Sequence, residues 1–271
     1  MHKIYINARK KGLDLNVREI LEYRDLLYTL ALRDLKVRYA QTALGLLWAV
    51  LQPLTTLIVF TLVFSRVAKV DTSPIPYPVF ALSGLSVWTY FASLMSQAGS
   101  SIVSAQGMIS KIYFPRLIIP LSKSVVGLVD LGISLTFLVV LMVFYGVVPS
   151  AQIIWLPLFL LLALLSGLAV GIWLSALTVR FRDFLQIMPF VVQLGMYLTP
   201  IAYPARLVPE KYQFFYFLNP MAGVVEGFRW SLLGGTAPNP MIFLSAGLVL
   251  VLLVSGLYYF RSVERVMADI V

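Results

Sequence analysis

The chain contains no cysteine, so disulfides are excluded and redox compartment leaves no trace in it. Its single histidine is His2, beside the N-terminus, which removes imidazole acid–base chemistry and His-rich metal sites from consideration. Charge is scarce too. Only 12% of the 271 residues are charged, against about 25% in an ordinary soluble domain, while 60% are apolar and the mean hydropathy is +0.89. No glycine is followed by lysine, so the GxxxxGK[ST] phosphate loop is missing, and G-x-S-x-G and HExxH are missing as well. The first forty residues are polar and lack an apolar core ending in small residues, so no cleavable signal is expected. These absences argue against an enzyme: no catalytic residue, no metal and no resident cofactor is expected.

Long apolar runs are what the chain does have. A bilayer core about 30 Å thick needs about 20 apolar residues in a helix. Six stretches meet this, at 43–65, 78–101, 119–145, 153–179, 184–203 and 241–260. The expected fold is an all-α integral membrane protein with six transmembrane helices. Residues 1–42 form a cytoplasmic N-terminal region, 43–260 the membrane domain and 261–271 a cytoplasmic tail. Within the first region, "EILEYRDLLYTLALRDLKVRYAQ" is amphipathic: Glu22, Asp25, Thr29, Arg33 and Lys36 share one face, and Tyr23, Leu26, Leu27 and Leu30 another. Such a helix lies in the membrane interface.

The net charge of +9 raises nucleic acid as a partner, but the basic residues sit beside apolar spans, where cytoplasmic loops concentrate them. With both termini inside, the 21 basic residues all lie on the cytosolic side except Arg66, Lys69, Arg206, Lys211 and Arg229. That orientation holds only if "YQFFYFLNPMAGVVEGFRWSLLGG" (212–235) does not cross. A crossing would bury Glu226 and Arg229, at about 2.5 kcal/mol or more for a charge at the centre of a span. A helical hairpin at about 206–235, re-entrant or lying at the outer surface, fits better. Asn219 caps its second helix, Pro220 takes the first position, and Glu226 can pair with Arg229 three residues on.

Polar spacing inside the spans points to a path. Ser83, Ser86, Tyr90, Ser93, Gln97, Ser100 and Ser104 recur at intervals of three and four along the second span. Gln186, Gln193 and Tyr197 share a face of the fifth span, and Trp48, Gln52 and Thr55 a face of the first. A lone stripe is interhelical hydrogen bonding; three in one bundle suit a bulky hydroxylated cargo. Asp130, in the third span, either lines that path or pairs with a donor on a neighbouring helix. Aromatic rings, 13% of the chain, suit sugar faces as well as interfacial belts. Gly167 and Gly171, extended by Ala163 and Ser175, allow close helix approach within the subunit or between copies. The cytosolic excursion "IVSAQGMISKIYFPRLI" (102–118) has room for two or three helical turns. It is expected to expose Met108, Ile109, Ile112, Tyr113 and Phe114 as a docking element.

Taken together, "RDLKVRYAQTALGLLWAVLQPL", "ISKIYFPRLIIPLS", "LTPIAYP", "FLNP" and "EGFRWSLLGG", in that order, resemble the permeases of type-2 ABC exporters. The likeness covers about residues 20–260 and is strongest to the branch that exports lipid-linked polysaccharides such as O-antigen, capsule or teichoic acid. The resemblance implies a homodimer of this chain in a bacterial inner membrane, served by two copies of a separate ABC ATPase subunit. ATP and Mg would be bound on that subunit and none here. It implies a coupling helix at about 104–116, with Met108, Ile109, Lys111, Ile112, Tyr113 and Arg116 meeting the ATPase, along with Arg33, Arg180, Arg182 and Asp183. It implies an extracellular gate carrying Tyr203, Asn219, Pro220, Glu226 and Arg229. The path would be lined by Trp48, Gln52, Ser86, Tyr90, Ser93, Gln97, Asp130, Gln193 and Tyr197. Its partners would be a lipid-linked glycan and membrane lipids. A drug or lipid exporter of the same superfamily is the alternative. A secondary transporter is disfavoured because no inverted repeat is seen.

Overall fold

A computed structural model describes residues 17–40, 47–264 and 267 of the chain. The described residues are helical, connected by turns and loops, with no strand. Helices α1 (Val17–Glu22) and α2 (Arg24–Ala40) form the amphipathic segment, broken at Tyr23. Glu22, Asp25, Thr29, Arg33 and Lys36 are all exposed, whereas Leu30 and Ala31 are buried. The two faces are those the spacing predicts. Helix α3 (Leu47–Phe60) contains Pro53 and continues as a π-helical stretch over Thr61–Val67. The start of the expected first span, 43–46, lies outside the described residues, as do residues 1–16 and most of the tail.

Helix α4 (Tyr77–Ser104) is the axis of the molecule. It is buried along most of its length and packs against α6 (Ile118–Phe144) on one side and α7 (Leu156–Arg180) on another. The small-residue face of α7 makes the second seam: a Cβ on Gly167 would stand 2.8 Å from Leu94 Cδ2, and one on Gly171 2.7 Å from the Ala98 Cβ. The sequence leaves open whether this face joins helices or subunits; here it joins α4 to α7. Thr178 ties the C-terminal end of α7 into that seam by donating to the Gly99 carbonyl at 2.9 Å. Helix α11 (Ile242–Glu264) closes the other side of α7, where Trp173 stacks on Tyr259 at 4.8 Å and donates to the Leu252 carbonyl.

Five helical segments are long and apolar enough to cross a bilayer: Val50–Val67, Tyr77–Ser104, Ile118–Phe144, Ala151–Arg180 and Ile242–Glu264. The chain is therefore a multi-pass membrane protein. The expected span 184–203 is shorter, a 15-residue apolar helix α8 (Phe184–Leu198). It stops there because Pro200 disfavours helical geometry at Thr199, which is extended at φ −107°, ψ 146°. Helix α5 (Gln106–Ile109) is a single turn between α4 and α6, less than the two or three turns expected. Helices α9 (Glu210–Phe217) and α10 (Pro220–Leu233) follow one another between α8 and α11, in the stretch expected to form the hairpin. Asn219 caps α10, accepting from the Met221 N–H at 3.0 Å, with Pro220 at the first position.

Candidate functional site

Helices α3 and α8 are the least buried of the described apolar membrane helices: α8 buries only Met188, and the span containing α3 is 11% buried. Between them and the α2–α4–α6 group lies a cavity of about 430 Å³. Gln52 and Thr56 reach it from α3, Trp88, Tyr90 and Ser93 from α4, Asp130 and Ser134 from α6, Val192 and Met196 from α8. Four residues expected along the path, Gln52 of α3, Tyr90 and Ser93 of α4 and Asp130 of α6, are thus brought from three helices to one cavity that no single helix would reveal. An adjoining open groove of about 510 Å³ shares Arg38, Ser93 and Ser96 and adds Gln97, Asp34 and Lys123. Gln97 donates back to Ser93 at 2.6 Å.

The other path candidates lie elsewhere. Ser86 is buried and shares a 2.7 Å hydrogen bond with Ser134, so it joins α4 to α6 beside the cavity. Trp48 and Tyr197, 56% and 53% exposed, and Gln193 point away from the cavity, on the open faces of α3 and α8. Along α8 the spacing puts Gln193 and Tyr197 one step round from Val192 and Met196, and it is the latter pair that lines the cavity. The α4 stripe divides. Ser83 serves the hairpin, and Ser100 and Ser104 bond to carbonyls of their own helix.

Asp130 is held by α2. Tyr39 donates to its Oδ1, and the Arg38 guanidinium lies 2.8 Å from Oδ2. Four residues earlier on α2, Asp34 pairs with Lys123 of α6 and with Arg33 at 2.8 Å. The two helices are thus strapped by reciprocal pairs: acid on α2 to base on α6, then base on α2 to acid on α6. Burial opposes ionisation of Asp34, but hydrogen bonds from Lys123 and Arg33 and their positive charge outweigh it, holding its carboxyl below the ordinary value of 3.8. Sequence reasoning missed the partners of Asp130; the signal available was the i, i+4 pair Asp34 and Arg38 on one face of α2.

At the opposite end, Arg229 is buried at 6% exposure, deeper than a hairpin at an outer surface suggests. Its fork is satisfied within the protein. Nε donates to Ser83, Nη1 to Glu226, and Nη2 to the Phe80 and Ile201 carbonyls, at 3.3–3.4 Å, and the guanidinium sits 3.6 Å from the Phe80 ring centroid. Glu226 also accepts from the Ala205 N–H at 3.1 Å. Tyr203 donates to the Tyr197 carbonyl and meets Tyr216 at 3.4 Å, and Asn219 donates to Thr199 at 2.8 Å. The five gate candidates therefore lie on α10 and in the segments joining α8, α9 and α10, and Arg229 bolts α10 to α4.

The segment after α4 presents Lys111, Ile112 and Tyr113 to the outside, the last two 54% and 78% exposed. Ile109 and Phe114, expected to be exposed, are buried, and Met108 is half-buried. They are buried because the segment folds back onto the bundle and its apolar side finds cover there. Tyr113 donates to Glu19 of α1 at 3.3 Å. Arg116 donates to the Glu264 carbonyl, and its own N–H reaches the Glu264 carboxylate at 3.2 Å, which Arg261 also holds at 2.7 Å. Arg180, Arg182 and Asp183 are exposed in the α7–α8 turn, and Arg33 is exposed on α2. Among the described residues no cluster of three or more His, Cys, Asp or Glu could hold a metal ion.

Comparison with known proteins adds the family. Residues 25–233 match the model of the ABC-2 type transporter family. The chain is 32% identical to an O-antigen export system permease protein of Klebsiella pneumoniae, over 91% of this chain and 95% of that one. It is 27% identical to a polysialic acid transport protein of Escherichia coli, over 88% and 93%. It is also 20% identical to a capsule polysaccharide export inner-membrane protein of Neisseria meningitidis, over 83% and 86%. The matched region runs from α2, through the cavity and the exposed segment after α4, to the end of α10: the chain belongs to the ABC-2 type transporter family.

Proposed function

We propose that this chain is the permease subunit of an ATP-driven exporter that moves a lipid-linked polysaccharide outward across the bacterial inner membrane. The observation that carries the reading is the polar and aromatic cavity that Gln52, Tyr90, Ser93 and Asp130 share between α3 and α8 on one side and the α2–α4–α6 group on the other. It is found in a chain whose relatives are named for O-antigen, polysialic acid and capsule export. A seam of hydroxyls, amides and rings suits a hydrated glycan better than the apolar slot a drug or lipid would want.

In this reading the chain spans six times, with α8 as the short fifth span, and two copies face one another across α3 and α8. Trp48, Gln193 and Tyr197, open in the single chain, then complete the wall of the path with Ser86 and Gln97 behind it. Both termini are cytosolic. The exposed Lys111, Ile112 and Tyr113, with Met108, Ile109 and Arg116 behind them, seat in a separate ATPase subunit, and Arg180, Arg182, Asp183 and Arg33 lie on the same side. ATP and Mg belong to that subunit, two copies of which serve the dimer, and this chain has no nucleotide site. ATP-driven closure of the ATPases pulls the segment after α4. Arg116 and Glu264 carry the pull to α11, Tyr113 and Glu19 carry it to α1, and α3 and α8 part. The α9–α10 hairpin, through Tyr203, Asn219, Pro220, Glu226 and Arg229, opens or closes the outer end.

The test is the double variant Ile112→Asp/Tyr113→Asp in cells that make the polysaccharide. Both side chains are exposed, so insertion and folding stay normal, while surface polysaccharide and its coupling to ATP hydrolysis are lost. Normal export by that variant would remove the coupling role.

A further inference from the structure

Helix α11 is tied to other elements at both of its ends, each time through a carbonyl that helix geometry leaves over. The last carbonyls of a helix have no partner within it and carry the negative end of its dipole. At the C-terminal end of α11 the Glu264 carbonyl accepts from the Arg116 guanidinium. The Glu264 carboxylate accepts from the Arg116 N–H at 3.2 Å and from Arg261 at 2.7 Å. Arg116 lies two residues before the start of α6, so this carboxylate also meets the positive end of that helix. The Glu264 side chain is 15% exposed, and it grips the segment after α4 by a backbone N–H that no rotamer change can release.

The N-terminal end repeats the device. Ser245 is fully buried, with its hydroxyl 2.7 Å from the Phe217 carbonyl, the last of α9, and 3.2 Å from that of Asn219, which caps α10. A Cβ on Gly223 would stand 2.7 Å from the Ser245 Cβ, so α10 and α11 are too close there to slip past one another. Ala205, Phe217 and Ala222 form a small buried cluster of their own, onto which Met241 and Leu244 pack. Helix α4 grips α10 at Arg229, whereas the α9–α10 turn is gripped by α11. Between its two ties α11 has no proline, and its 23 residues make a rod about 34 Å long. We propose that Ser245 and Glu264 are positioning residues for transport, making α11 the tie that delivers a displacement of the segment after α4 to the α9–α10 turn. The inference rests on the export reading for the ATPase that displaces that segment. It goes beyond that reading by assigning the route to the outer end and the two residues that hold it.

The chain has no cysteine, so Leu218→Cys, on the turn and 39% exposed, gives one thiol to follow. The complex with its ATPase, held in nanodiscs, is labelled with a water-soluble maleimide before and after vanadate traps the nucleotide. Trapping is expected to change the labelling rate. Adding Glu264→Ala or Ser245→Ala should shrink that change about five- to tenfold, the effect of one or two lost hydrogen bonds, and export from polysaccharide-producing cells should fall with it. Glu264→Gln keeps an acceptor for the Arg116 N–H and should restore most of the change. A merely structural role would lower the thermal midpoint but leave the labelling change per trapped complex intact. That result would overturn the tie, as would unchanged labelling and export in Glu264→Ala, or a turn whose labelling ignores trapping in the parent. If the parent exports polymer with its ATPase inactivated, the export reading itself falls, and the tie with it.

Discussion

Replacing Arg229 with methionine removes the bolt between α10 and α4 while keeping most of its volume. The Arg229 side chain is 7% exposed, and its guanidinium has acceptors at Ser83, Glu226, Phe80 and Ile201. Removing one partner of a buried ion pair costs about 3–5 kcal/mol, because the other is left uncompensated. Glu226 is 23% exposed and keeps the Ala205 N–H, which softens its loss and places the variant at the lower end, about 3 kcal/mol. At about 2–4 °C per kcal/mol for a chain of this size, the thermal midpoint of the detergent- or nanodisc-held protein should fall by about 6–12 °C. The double variant Arg229→Met/Glu226→Met should fall less than Arg229→Met alone, since neither charge then remains. Arg229→Lys should be intermediate, because an ammonium cannot span the Phe80 and Ile201 carbonyls and Glu226 at once. A midpoint for Arg229→Met within about 2 °C of the unaltered protein would refute the reasoning. So would a double variant worse than the single one.

Other outcomes follow from the same geometry. Gly171→Leu should overpack the α4–α7 seam at Ala98 and destabilise by at least about 1–3 kcal/mol, lowering midpoint and yield. Gly132→Ala, with open space around it, should be neutral or stabilise by about 0.5–1 kcal/mol, and thermal melts separate the two. Asp34→Lys combined with Lys123→Asp should restore a midpoint that either single change lowers, because the strap needs opposite charges and not a particular order. Asp34 titrates below its ordinary 3.8 when folded. Its contribution is therefore complete above that pH and is lost only as pH falls through the lower folded value. Melts from pH 7 down to about 4 should show no loss from this pair, and a loss removed by Asp34→Asn in that window would contradict it.

How much of this was written in the sequence varies with the kind of signal. Asn219 and Pro220 announce the start of α10 because a cap is a local matter of one side chain and one N–H. The two faces of α2 follow from spacing, and so does the α7 glycine face, although which helix it meets does not. The expected end of the fifth span at residue 203 overran the helix because hydropathy continues past Leu198, whereas Pro200 ends it. Ile109 and Phe114 looked exposed because a loop's apolar residues carry no mark of the surface they fold against. The α4 stripe pointed toward polar chemistry but not to its division: Ser83 to the hairpin, Ser86 to Ser134, Tyr90 and Ser93 to the cavity. Periodicity reports a face, and only the neighbours decide what the face is for. The burial of Arg229 was hidden for the same reason, since its acceptors come from α4 and from the segment after α8.

The most direct measurement is surface polysaccharide in the producing cell after deletion of this chain, with complementation by the chain and, separately, with its partner ATPase inactivated. Export by this chain predicts that polymer disappears from the surface and its lipid-linked form accumulates on the cytosolic side. Complementation should restore it only when the ATPase is active. Surface polymer at normal levels in the deletion, or restored with an inactive ATPase, would contradict the account.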